Sequence, residues 1–112
     1  MKGIGGNTKA VIQIRSVTKN AIGEQVESWQ DAQTITGWID LASGDSGRAA
    51  YYAKIQESTH YFISDYVPLA IGITAESARM LVGGKVFDIL LIDNPMELNA
   101  QLEFYLKYTG GQ

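Results

Sequence analysis

Cysteine is absent from the 112 residues, and histidine occurs once, as His60. Without thiols there is no disulfide framework, no thiolate nucleophile and no cysteine-built zinc site. A single imidazole also excludes a multi-histidine metal site. Charge is scarce, at 19% of residues, and nine Lys+Arg against twelve Asp+Glu leave a formal net charge of −3. That sign is opposite to the footprint of a nucleic-acid binder, and the magnitude is too small for a polyacidic tail. Arg15, Lys19, Arg48, Lys54, Arg79, Lys85 and Lys107 stand singly, with no basic run to neutralise a phosphate backbone. No apolar stretch approaches the roughly 18–20 residues that span a bilayer. Met1–Asn7 lacks the apolar core of a signal peptide, so the sequence reads as a soluble chain with no membrane attachment.

What is present is apolar and aromatic. Hydrophobic residues make up 46%, including six Tyr, three Phe and two Trp, enough for one domain over residues 1–112 with a core that needs no disulfides. The glycines near both ends predict fraying at about 1–8 and 109–112. Val11 to Thr18 places Ile12 and Ile14 on one face and Gln13 and Arg15 on the other. Asn20-Ala21-Ile22-Gly23 offers turn chemistry, and Glu24 to Gln30 reads as a weaker second strand. Thr34 to Leu41 alternates cleanly, with Ile35, Gly37, Ile39 and Leu41 on one face.

The period then changes. Ser43-Gly44-Asp45-Ser46 is a polar loop ending in N-cap residues, and Ala49, Tyr52, Ala53 and Gln56 share one helical face. This predicts one short inserted helix at about 46–56. Strand character returns at His60-Tyr61-Phe62-Ile63. Gly83-Gly84, between Arg79–Val82 and Lys85–Ile92, is the clearest hairpin signal, because glycine tolerates the positive φ of a two-residue turn. Asn94-Pro95 breaks that run, and Ala100 to Tyr108 alternates Leu102, Phe104, Leu106 and Tyr108 against Gln101, Glu103, Tyr105 and Lys107. Many strands at short spacing predict a mainly β chain, a small β-barrel or sandwich with the one helix inserted.

Candidate chemistry thins out under inspection. Gly44-Asp45-Ser46-Gly47 copies the tetrapeptide around the nucleophile of trypsin-like proteases, but His60 follows the serine and the chain is about half the required length. His60, between Thr59 and Tyr61 on a strand, reads as a structural histidine without a partner nucleophile. Gly3-Ile4-Gly5-Gly6 precedes a strand, where no helix N-terminus is offered to a phosphate, and Gly84-Lys85 lacks the rest of a P-loop. Asp31, Asp40, Asp88 and Asp93 read as solvated or ion-paired groups. No catalytic residue, cofactor or metal site is expected.

The most informative segment is the long apolar loop at about 64–77. Between Asp65 and Glu76 it carries no charge, yet Pro68 and Gly72 interrupt it as a strand or helix. One reading tucks it over its own core. The other makes Asp65, Tyr66, Val67, Leu69, Ile71, Ile73 and Glu76 contacts to another subunit, a partner or a lumen, because exposed apolar patches mark interaction sites. Trp38 poses the same choice, with a half-buried core tryptophan expected.

The order of these elements resembles the phage head–tail joining family, also called head completion or stopper proteins, over about Val11 to Lys107. The features are Val11-Ile12-Gln13-Ile14-Arg15, a turn closing in Gly23-Glu24 with Trp29 beyond it, Ile35-Thr36-Gly37-Trp38-Ile39, the Ser43-Gly44 loop and helix, Ser58-Thr59-His60, Gly83-Gly84 with Val86-Phe87-Asp88-Ile89, and the amphipathic last strand. Two departures stand out: Asp65 precedes Tyr66 where members often carry arginine, and Ile39 replaces the usual alanine. The resemblance implies a structural protein, assembled in the bacterial host cytoplasm into the neck of a phage or prophage virion. Its implied form is a ring below the portal that helps retain DNA and docks the tail. Implied partners are portal or adaptor proteins, tail proteins, further copies of itself (with a monomer in isolation), and passing duplex DNA without specificity. At about twelve copies, −3 becomes roughly −36, a surface that does not grip DNA. Two alternatives remain: another neck or tail component such as a tail terminator, or an unrelated small-barrel oligonucleotide-binding module.

Overall fold

Among the described residues, apolar and β-branched side chains at alternate positions generate six strands. These are β1 (Thr8–Lys19), β2 (Gln25–Leu41), β3 (His60–Asp65), β4 (Ala78–Val82), β5 (Lys85–Asp93) and β6 (Gln101–Gly111). The computed structural model describes residues 3–41 and 58–111. The helix expected at about 46–56 and the Gly44–Gly47 tetrapeptide therefore lie outside the described residues. Every neighbouring pair is antiparallel, and the order β1-β2-β3-β6-β5-β4 closes on itself as a barrel.

The inward faces are those the alternation marks. Ala10, Ile12, Ile35, Phe62, Met80, Phe87, Ile89, Leu102, Phe104 and Leu106 are buried in one core cluster. Phe62 and Phe104 are cross-strand partners, their rings meeting edge-on with centroids 6.3 Å apart. Each such side chain contributes about 1.5–3 kcal/mol by leaving water. Gly83 and Gly84 both take positive φ, 58° and 80°, as the β4–β5 hairpin turn requires.

The two separate strands read at Glu24–Gln30 and Thr34–Leu41 form one continuous β2. Ile12 pairs with Gln33 and Gln13 with Asp31, so Ala32 is an extra residue, a β-bulge that absorbs the break in alternation. A second bulge lies in β5. Ile89 pairs with Leu106 and Leu91 with Tyr105, which leaves Leu90 extra and turns Ile92 back to the core.

Near both termini, described residues have partners. The Asp65 carboxylate accepts the amide N–H of Ile4 (2.6 Å) and of Gly5 (3.0 Å), and the Trp38 indole N–H donates to the Ile4 carbonyl at 3.0 Å. This strap crosses β2 at Gly37, where a Cβ on Gly6 would fall on the Gly37 backbone. Gly37 itself faces inward, and a Cβ there would collide with the Ile63 carbonyl oxygen and the Phe62 ring. At the other end β6 runs on to Gly111, paired with Lys85.

Closure uses only part of the long strands. β4 covers β1 at Val11–Ile14, and β3 covers β2 at Gly37–Leu41. Beyond those positions β1 and β2 pair only with each other, as a two-stranded arm that contributes to the 52 Å long axis of a body 30 × 27 Å across. The Asn20 side chain closes its tip by accepting the N–H of Ile22 and of Glu24, with Gly23 at φ 86°.

The 66–77 segment divides between core and surface. Ile73 is a core residue, while Tyr66, Val67 and Leu69 pack half-buried against that core. Ile71 is fully exposed at 100%. Gln33 fixes the segment with its side-chain amide, accepting the Ala70 N–H at 2.8 Å and donating to the Pro68 carbonyl at 3.1 Å.

Two unfolding measurements follow from this packing. Gly37→Ala is expected to cost about 2 kcal/mol through overpacking, lowering the melting temperature by roughly 10 °C. Ile73→Ala should cost about 2–4 kcal/mol in urea unfolding, whereas Ile71→Ser should stay within about 0.5 kcal/mol of the parent. Equal losses at the two isoleucines would contradict the burial difference.

Candidate functional site

An antiparallel ring sends alternate connections to opposite poles. The arm tip, the 66–77 segment and the 94–100 connection between β5 and β6 all lie at one pole. The Gly83-Gly84 turn, the end of β2 at Leu41 and the start of β3 at His60 lie at the other. At the arm pole the Tyr66 N–H donates to the Ala100 carbonyl at 3.1 Å, holding the two loops side by side.

The 94–100 connection is built in an unusual way. Met96, Glu97 and Asn99 take φ of 56°, 54° and 56°. For a residue with a Cβ, the left-handed conformation costs about 1–2 kcal/mol, with asparagine the most tolerant. A local clasp offsets the cost. The Asn94 amide donates to the Asn99 side-chain oxygen at 2.8 Å, and the Asn99 N–H donates back to the Asn94 side-chain oxygen at 3.1 Å. The Glu97 N–H donates to the Asn94 carbonyl at 2.8 Å. The result is a single tight turn, Pro95–Glu97, that leaves Met96 87% and Leu98 68% exposed. Strain held in place by a closed hydrogen-bond set points to a surface kept in one shape.

Of the seven residues singled out in the apolar loop, Ile71 and Glu76 face solvent. Ile73 points into the core, and Tyr66, Val67 and Leu69 lean on it. Asp65 spends its carboxylate on the strap. Met96 and Leu98 went unmarked because Asn94-Pro95 reads only as a strand break. The two asparagines five residues apart, which clasp the turn, were the available signal.

The remaining groups have structural partners. Trp38, expected half-buried in the core, stands on the outer face with 44% exposure. His60 packs edge-on to Phe87 at 5.0 Å, and its Nδ1 lies 2.8 Å from the Thr59 hydroxyl. On the outer wall Gln13 donates to Asp31 at 2.7 Å and accepts from Arg79 at 2.8 Å. The Arg79 guanidinium sits 4.2 Å from the Trp29 ring centroid, a cation–π contact that braces the base of the arm. Among the described residues, no group of three or more His, Asp or Glu side chains could hold a metal ion. No helix there is long and apolar enough to cross a membrane. What this pole offers is an exposed apolar surface on a fixed frame.

Comparison with solved structures bears on the fold. The chain is similar to the solution structure of protein SF1141 from Shigella flexneri 2a, with a TM-score of 0.69 and 22% identity over 97% of each chain. It is also similar to a chain in the virion of a native gene transfer agent particle, with a TM-score of 0.59 and 16% identity over 94% of this chain and 96% of that one. No curated protein matches. The family model of the phage head completion protein matches residues 1–107. Nearly the whole barrel thus falls under one description, and the chain belongs to the phage head completion protein family.

Proposed function

We propose that this head completion protein is a joint of the virion neck, forming a ring below the portal that helps retain the packaged DNA and docks the tail. The observation that carries the reading is the family match over residues 1–107. The family is one of structural virion proteins, and the structural likeness to a chain of a gene transfer agent virion points the same way. The physical character of the chain supports the finer role. A barrel closed on itself leaves no sheet edge in its body for uncontrolled strand addition, so copies can stand side by side without fusing. A formal charge of −3 per copy lets duplex DNA slide past with transient contact. Ring contacts add up only once a template aligns the copies, so the isolated chain is a monomer in the host cytoplasm and the ring forms on the portal side of a filled head.

The test is a phage carrying a deletion of this gene. Its heads should package DNA, lose it on standing and accept no tails, and adding the purified chain should restore tail attachment. Tailed, infectious particles from the deletion strain would overturn the proposal. Heads that retain DNA and bind tails whose tubes are misformed would point instead to a tail terminator.

A further inference from the structure

Among the described residues, the arm pole combines exposed apolar side chains with an excess of carboxylates. Ile71, Met96 and Leu98 are exposed at 100%, 87% and 68%, on loops tied together through Tyr66 and Ala100. Around them stand Glu76, Asp93 and Glu97, and the arm adds Glu24, Glu27 and Asp31, against Arg15, Lys19 and, at the base of the arm, Arg79. Arg15 is already engaged by Glu27 at 3.4 Å. Toward the opposite pole the balance is basic, with Lys9, Lys85 and Lys107 against Asp40 and Asp88, the last facing Lys107 across the β5–β6 pair, among the described residues.

We infer that the arm pole is a docking surface for a protein partner whose matching face is basic around an apolar centre. The inference rests on the neck-joint reading and names the chemistry of one of its two joints. Charge selects the class of partner. A carboxylate-rich rim repels duplex DNA and anionic lipid, whereas a basic protein face gains from it in both attraction and orientation. In a ring of aligned copies the like-charged poles fall on one rim, so each copy adds to the same field. The apolar side chains supply the desolvated centre that a charged rim surrounds in a specific interface. The Asn94–Asn99 clasp holds that centre in shape before binding, which lowers the ordering cost of docking.

Two probes test this: purified DNA-filled heads and purified tails, both from a strain lacking this gene. Full-length parent chain is added to the heads and then challenged with tails. The variants are Met96→Ser/Leu98→Ser and Glu76→Lys/Glu97→Lys, each checked for parental melting. Both variants should lose one joint at least tenfold while keeping the other, and raising salt should weaken that same joint in the parent. Variants that form both joints at parental strength would overturn the inference and leave the neck role standing. Parent chain that forms neither joint would remove the neck role and the inference with it. If the parent alone assembles into oligomers that the variants cannot form, the pole meets a second copy and the inference is also wrong.

Discussion

The organising constraint is the way β1 closes the ring. At Val11–Ile14 this strand is hydrogen-bonded on both edges, to β2 on one side and β4 on the other. β4 has only five residues and β3 only six, whereas β1 has twelve and β2 seventeen. The wall can be no taller than its short strands, so the surplus of the long pair has nowhere to go but outward as the arm. The same closure fixes a core thick enough for Phe62, Phe87 and Phe104, and it assigns each connection to a pole. The surface proposed for docking is a consequence of that assignment: the 66–77 and 94–100 loops meet because the strands they join are parts of one closed cylinder.

Much of the wall was legible in the sequence because alternation is a direct record of a face turned to the core. Ile35-Gly37-Ile39 and Leu102-Phe104-Leu106 point inward as read, and Gly83-Gly84 makes the turn that its chemistry advertises. The long strand β2 was split in the reading because the bulge at Ala32 shifts the period by one residue. Such a shift looks like an end to a pattern and is in fact a change of phase. Glycine content near the N-terminus carries no sign of the Asp65 carboxylate that meets Ile4 and Gly5 across the fold. An acceptor at that position is what the two strap amides require.

The candidate surface was only half legible. An uncharged, broken segment announces itself in the sequence, but the side on which each isoleucine lands depends on where Gln33 pins the backbone. Ile71 and Ile73 are two residues apart and end on opposite sides of the core boundary. Met96 and Leu98 carry no pattern at all. Their exposure follows from a turn whose backbone only the Asn94–Asn99 clasp makes tenable. Both cases show apolar side chains kept outside by specific hydrogen bonds, at a cost a monomer has no reason to bear. A part of a larger assembly does have one, and the paucity of catalytic chemistry in the composition accords with that role.

The neck role is tested most directly by reconstructing the neck of the mature virion at side-chain resolution. A ring of six-stranded barrels of this chain, lying between the portal side and the tail with its arm pole against a different protein, is the expected result. A mature neck without this barrel would contradict it, and a neck that holds the barrel with its Met96 and Leu98 facing open solvent would contradict the docking surface alone.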